Sequence, residues 1–469
     1  MIYKKTKNGG EFWIMDIKIM LWYDVEDYIT PKSDEALDKL IDMMDKRGVV
    51  SSLKIVAEKA RALLSRGRFD IIKKIAGHEV CYHTDNHSRH PTITEYLENY
   101  GFSDGAAEFI RQEQKGLCDV MDITGQSAKS YGQPGASWAS QTFPALRKWG
   151  IPTYLDSHDI IDVNGMPFWY GGILNLTRLS ATMRMGLGGE GDLDIAKKEF
   201  DALCEETKAE KTLLISIFYH PCEFSCVEFW DGLNFSHGHN RPKSEWKPSK
   251  LRKPGEMQAL IDRLGCFIDY TLTKENVEYI PASKSPGYEI KNNAKIDGGQ
   301  IKKYAAEVKN EVDFAEIGKN YYAPSELLSL LCRYINGKHL TPALSYGPEK
   351  EEKSRVDGRI KTGCLAKAFE SQYEMVFGYK QLPDLYKLKN GVINPADMLC
   401  TLAYAVSMGL GMDESVDLIR GGLKTKKYVK DDADWSGKHN WIIFPDEFMV
   451  PNTVRMAKLQ TWTLKPARY

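Results

Sequence analysis

His83, His87 and His90 stand four and then three residues apart, directly after the apolar run ending Val80-Cys81-Tyr82. Three of the chain's ten histidines thus lie within eight residues. Residues at i, i+4 and i+7 share one face of a helical turn, so the imidazole nitrogens can converge on a single point. Convergent imidazoles suit zinc. The plainer alternative is a polar helix start with solvated histidines. A metal would also need acids. The strand-like run 17–24 ends in Asp24-Val25-Glu26-Asp27, and the run 213–219 ends in His220. A carboxylate from this acidic run and the imidazoles of His83 and His87 give zinc three protein ligands and leave a position open, as catalytic zinc requires. His90 in place of the carboxylate gives a three-histidine alternative. A cation held this way lowers the pKa of a water towards ~7 and polarises an acyl oxygen beside it. Asp24 is then placed to take the proton and His220 to protonate a leaving amine. Backbone N–H groups near Pro134 to Ala136 can face the oxyanion. Each group also has a structural reading on its own: an acidic pair after a strand commonly caps a turn, and His220 before Pro221 can be a core histidine.

These residues need elements to position them. The run 17–24 reads as a buried strand. Ser33 then caps a helix carrying Leu37, Leu40, Ile41 and Met44 at helical spacing, stopped by Gly48. Strands are expected at 49–55 and 79–82 with a helix at 57–65 between them, and Thr92 and Glu95 form a capping box after Pro91. Further helices are expected at 109–121, 143–149, 195–208 and 257–272. Strands are expected at 128–131, 153–155, 168–176, 213–219 and 277–280. Alternating strands and helices predict an α/β fold, with a parallel barrel preferred over a doubly wound sheet. The polar clusters at 24–27, 83–90, 132–135, 156–159 and 220 all follow strands, where such barrels build their sites.

The chain has 469 residues, room for more than one domain. Residues 1–285 are expected to form the barrel, and the polar, Gly- and Lys-rich stretch 286–308 a linker. Residues 309–469 are expected to form a smaller, mainly helical domain. It contains a repeat: Ala323-Pro324-Ser325-Glu326 and Asn394-Pro395-Ala396-Asp397 each open an apolar helix. Residues 347–359 form a charged loop, and Trp435, Trp441 and Trp462 can stack on sugars or fill a core. A net charge of -1 leaves no global field to recruit nucleic acid or anionic lipid. No apolar run reaches the ~18 residues of a membrane span, and no export signal is visible. The expected location is cytoplasmic as written, or extracytoplasmic if the start is mis-assigned, since Met15 and Met20 both lie near the first strand. Nine cysteines without a C-x-x-C pair read as reduced core thiols. Cys81 and Cys222 each lie close to one of these histidines, so a thiolate ligand is the alternative there.

Residues 16–285 resemble the polysaccharide deacetylases with a NodB-homology domain, carbohydrate esterases of the family 4 type. His83-Thr84-Asp85-Asn86-His87 matches that family's H-[ST]-x-x-H metal motif, and Asp24-Val25-Glu26 its D-x-[DE] motif. Ile217-Phe218-Tyr219-His220 matches the apolar strand that runs into a general-acid histidine. The resemblance implies a distorted (β/α)7 barrel. Asp24 would be the base, His220 the acid, and Glu26 or Asp27 would bind metal with His83 and His87. The metal would be zinc or another divalent first-row ion. One departure stands out: where the family's R-x-P motif carries an arginine, Gly132-Gln133-Pro134 has glycine. Asp24 thereby loses a cation that would hold its geometry and bias its pKa downward. Gln133, His158 and Arg178 are the candidate substitutes, and Asp156 and Asp159 both stand near the fourth motif. Gln133, Pro134, Trp138, Asp156 and His158 are the expected substrate contacts. Leu382-Pro383 with Gly391 to Ala403 resembles the tail of the pseudomurein-binding repeat, which implies a glycan- or wall-binding module and export of the natural protein.

The leading expectation is a metal-dependent hydrolase removing N-acetyl or O-acetyl groups from an acetylated polysaccharide or glycan, with a cell-wall polymer as a possible second partner. The rivals are a catalytically degenerate glycan- or wall-binding protein on the same barrel, suggested by the missing arginine and the aromatic tail, and a hydrolase of another linear amide.

Overall fold

The computed structural model describes residues 4–5, 11–12, 16–155, 160–176, 182–206, 212–435 and 441–469. One sheet of eleven strands organises the first part. In chain order these are β1 (Asp16–Val25), β2 (Ser52–Ile55), β3 (Glu79–Tyr82), β4 (Ser130–Tyr131), β5 (Thr153–Leu155), β6 (Phe168–Tyr170), β7 (Ile173–Leu176), β8 (Thr182–Met183), β9 (Thr212–Tyr219), β10 (Val277–Tyr279) and β11 (Lys465–Pro466). Their order is β8-β9-β1-β2-β3-β4-β5-β7-β6-β11. Every pair from β8 to β7 is parallel; β6 and β11 join antiparallel. The sheet curls as the expected distorted α/β barrel, with no pairing between β8 and β11 among the described residues.

Strand β1 is the axis of this arrangement. One edge pairs with β9 along its length, and the other is shared: β10 takes Ile17 to Ile19 and β2 takes Trp22 to Val25. Side chains alternate faces along a strand. Ile17, Ile19, Leu21, Tyr23 and Val25 therefore join the core formed with the surrounding helices, among them Lys32–Asp45, Ala57–Ser65 and Glu256–Leu272. Met20 and Trp22 join a second cluster with Cys81, Leu155, Leu174, Leu214 and Ile280 inside the barrel. Asp24 belongs to that inner series, at its carboxyl end. The amino ends of the strands are closed off by the segment after β10, where the Ala282 and Ser283 N–H groups donate to Ser52 and Glu79.

The second unit has its own core, built mainly on helices Gly298–Glu307, Pro324–Ile335, Thr362–Ser371 and Pro395–Ser407. The repeat is more than helical. A β-hairpin precedes each proline-started helix, Ala315–Ile317 with Asn320–Tyr322 and Tyr386–Leu388 with Gly391–Ile393. Two expected boundaries differ from the structure. The stretch 286–308 contains helix Gly298–Glu307, whose N-cap Asp297 accepts a hydrogen bond from the Gln300 N–H and whose Ile301, Tyr304 and Ala305 are buried. The end of 309–469 returns to the barrel: Val429, Trp435, Phe444, Val450 and Leu464 lie in its core, and β11 pairs with β6. Two residues ending in a proline on a sheet edge carry no periodic signal.

Two carboxylates cap helices from a distance in sequence, one tying the returning tail to the barrel and the other tying the second unit to it. Glu98 of the barrel accepts from the Asn452 and Thr453 N–H groups at the start of helix Pro451–Leu459. Glu349 of the second unit accepts from Phe102 and Ser103 N–H at the start of helix Phe102–Thr124. Both place negative charge where unpaired amides and the helix dipole favour it.

Candidate active site and metal centre

Four inner-face positions at the carboxyl ends of neighbouring strands meet at one place: Asp24 is the last but one residue of β1, His83 follows β3, Gly132 follows β4 and His220 follows β9. Glu26, His83 and His87 bring ligand atoms within 4.8 Å of one another, as do Asp24, Glu26 and His220. His87 Nε2 lies 2.9 Å and His83 Nε2 3.8 Å from Glu26 Oε2. The other oxygen of Glu26 accepts from the Trp230 indole N–H at 3.1 Å.

The remaining ring nitrogens are committed elsewhere, which fixes both tautomers. His83 Nδ1–H donates to the Gly132 carbonyl at 2.8 Å. His87 Nδ1 meets Ser88 Oγ, whose single proton goes to Asp231, so the hydroxyl accepts from the imidazole. Both Nε2 atoms are thereby left as acceptors toward Glu26, and that of His83 is buried with no hydrogen-bond partner. Burial holds the His83 imidazole below its usual pKa despite the charge of Asp24, favouring the neutral, ligating form. Burial would raise Glu26, but the imidazoles of His87, His220 and His83 around it hold it well below its usual range. A buried carboxylate and two neutral imidazoles with oriented outer nitrogens fit a divalent cation.

Asp24 is gripped from below. Lys54, its register partner on β2, places Nζ 2.7 Å from Oδ1 and is wholly buried, while Oδ2 faces His220 Nε2 at 3.4 Å and His83 Nε2 at 3.9 Å. Burial alone would push Asp24 up; Lys54 first, then His83 and His220, hold it below the ordinary carboxylate range. His220 is held from its other side. It caps the short helix Pro221–Ser225, and Glu223 Oε2 accepts from both its backbone N–H (3.0 Å) and its Nδ1–H (2.9 Å). Arg184 pairs with Glu223 in turn. Burial would lower His220, but the charges of Glu26, Asp24 and Glu223 raise it well above its usual value, so it carries its proton.

Several expected residues are placed differently. The two histidines converge through a loop and not on a helix: residues 83–90 are irregular, with positive φ at Thr84 (71°) and His87 (58°). A β-branched residue there is an outlier, held by the structure around it. His90 turns away, its nitrogens taken by Glu95 and the Phe235 carbonyl, which removes the three-histidine alternative. Asp27 also turns away: its Oδ1 accepts from Ile29 and Thr30 N–H, and burial raises its pKa to about 6. Trp138 does not line a groove. It is buried against Phe143 and Tyr170 in the barrel core. Gln133 is buried and donates back to the Gly135 carbonyl, and Pro134 is buried beside it. Within that loop the Ser137 and Trp138 N–H groups are committed to Pro134 and Ala136. Cys81 and Cys222 are buried free thiols outside both clusters, and burial pushes both up. Asp156, His158, Asp159 and Arg178 lie outside the described residues.

The sequence gives no role to Lys54 or Glu223, and it offers Trp441 only as one of three tail tryptophans that can stack on sugars or fill a core. Lys54 has one signal, a lysine set between Leu53 and Ile55 inside a strand. Trp441 comes from the returning tail, packs edge-on against the His87 ring at 5.6 Å and lies over Gly135, where a Cβ would meet the indole at 2.5 Å. Ile442 and Ile443 anchor it through carbonyls that accept from His237 and Gly238 N–H.

No family model and no curated protein matches the chain. Among solved structures it is similar to Puue allantoinase, at 13% identity and a TM-score of 0.39 over 58% of this chain and 91% of that one. It is also similar to a probable polysaccharide deacetylase from Pseudomonas aeruginosa PAO1, at 12% identity and a TM-score of 0.37 over 59% and 93% of the two chains. A family 4 carbohydrate esterase from Streptomyces lividans in complex with acetate gives 13% identity and a TM-score of 0.29 over 55% and 90%.

Proposed function

We propose that this protein is a divalent-metal-dependent hydrolase that removes acetyl groups from an acetylated amino-sugar polysaccharide or glycan. The observation that carries it is the meeting of Glu26, His83 and His87 around one point with Asp24 and His220 facing it. A bound divalent cation supplies a Lewis acid for the acyl oxygen and makes a nearby water more acidic. Asp24, with one oxygen on Lys54, presents the other to accept the proton of the attacking water. The water oxygen bonds to the acyl carbon as the C–N bond breaks, and His220 gives its Nε2 proton to the leaving nitrogen. Glu223 fixes the ring so that Nε2 is the nitrogen that faces the reaction. The products are acetate and a free amine, or an alcohol where the acetyl group is on oxygen.

The degenerate-barrel reading rests on the missing arginine and the aromatic tail; the Lys54–Asp24 pair gives the base a cation of its own, which weighs against the first of these. Metal content of purified, zinc-supplied protein and acetate release from N-acetylated and O-acetylated oligosaccharides test the proposal together. One equivalent of zinc and turnover on one class is the expected result. Protein that holds no stoichiometric divalent ion and releases no acetate would overturn it, and turnover confined to non-sugar amides would change the substrate class.

A further inference from the structure

Lys54 is a charged side chain with no exposure at all, on a strand facing the barrel interior. Its Nζ lies 2.7 Å from Asp24 Oδ1 and 4.0 Å from the centre of the Trp22 ring. No other lysine or arginine pairs with Asp24 among the described residues. The space it occupies exists because of Gly132: a Cβ there would stand 2.6 Å from Lys54 Cδ and 2.8 Å from Nζ. Gly132 has no positive φ to require glycine, unlike Gly135 at 45°. A side chain at position 132 and Lys54 in its present place exclude each other. The Gly132 carbonyl meanwhile fixes His83, so the backbone here cannot simply retreat.

We propose that Lys54 is the positioning residue of the catalytic base and that position 132 is glycine to leave it room: the cation that orients Asp24 enters from the strand beside it, two strands away from the loop where an arginine would otherwise enter. The proposal rests on the hydrolase reading for its kinetic arm only. Lys54 pairs with Asp24 and with none of Glu26, His83 and His87; it holds one oxygen of Asp24 so that the other points into the cleft. Misplacing a catalytic group by about 1 Å costs on the order of 100-fold in rate.

The test uses the full chain loaded with zinc. In Lys54→Met, zinc stoichiometry stays at the wild-type value and the Asp24 carboxylate is displaced in the crystal structure; kcat falls about 100-fold while KM stays within about threefold. Lys54→Ala/Gly132→Arg returns a cation to Asp24 from the neighbouring loop, restores the carboxylate position and regains at least about tenfold of the loss. Gly132→Arg alone, with two cations contending for one space, does not. An unmoved Asp24 in Lys54→Met, or a paired variant that folds and binds zinc with Asp24 still displaced, overturns the proposal. Should Lys54→Met fail to fold, the paired variant decides alone. Should wild type release no acetate, the hydrolase reading falls and the Asp24 positions still decide this one.

Discussion

His87 Nε2 and Glu26 Oε2 lie 2.9 Å apart, although one follows β3 and the other follows β1, with β2 between them. The contact is possible because the chain reverses through left-handed conformations at Thr84 and His87. A carboxylate and an imidazole acceptor held this close are set for a shared cation. His83→Ala or Glu26→Ala is therefore expected to lose zinc, read by metal analysis. Asp24→Asn is expected to keep it while turnover falls by about 10²–10⁴. Full zinc retention in Glu26→Ala would remove the carboxylate from the ligand set.

Glu223 governs how long His220 keeps its proton. Burial would raise Glu223, but His220 and Arg184 hold it down to about 2, so it is ionised across the working range. Its charge in turn raises His220. Activity that needs protonated His220 falls as pH rises through that group's pKa. Removing the charge in Glu223→Gln lowers the pKa, so the alkaline limb of the rate profile moves to lower pH. An unmoved limb would show that another group sets it.

Glu113 gives stability a pH dependence of its own. It is buried, accepts from the Tyr82 hydroxyl and the Asp85 N–H, and burial raises it from 4.5 to about 7. The folded protein holds this proton more tightly than the unfolded chain, so stability from this group is full below about pH 4.5 and is lost as pH rises to about 7. At about 1.36 kcal/mol per pH unit the loss is about 3 kcal/mol. Glu113→Gln keeps both acceptor contacts, and its urea stability relative to wild type is expected to grow across that window. A constant difference would count against it.

Gly135 and Trp441 form a coupled pair. Alanine at 135 meets the indole and also a positive φ of 45°, so Gly135→Ala is expected to cost about 1–3 kcal/mol. In a Trp441→Ala background only the backbone part remains. A double-mutant cycle by denaturation should return clear non-additivity; additive costs would mean the indole yields freely.

The strand ends were legible because their signal is local: an apolar run followed by acids or a histidine names both the strand and its chemical end. Helix Ala57–Ser65 and strand Glu79–Tyr82 fall where the pattern puts them. Features set by distant partners were not legible. The stretch 168–176 reads as one strand but is a hairpin turning at Gly171-Gly172, both with positive φ, and the Gly-Gly signal was there to be used. Hairpins at Gly318-Lys319 and Phe377-Gly378 likewise turn on paired positive φ values. The role of Lys54 depends on which strand lies beside β1, and an aromatic after a site loop, such as Trp138, looks the same in sequence whether it faces cleft or core.

The path of the tail has a consequence for how the molecule is made. The barrel opens with Asp16 and finishes with β11 and the roof at Trp441, so the helical unit is an insertion within it and not an appendage. During synthesis the cleft stays incomplete until Trp441 and β11 have followed the helical unit out of the ribosome. A protein cut after the helical unit would lack its roof and an edge strand.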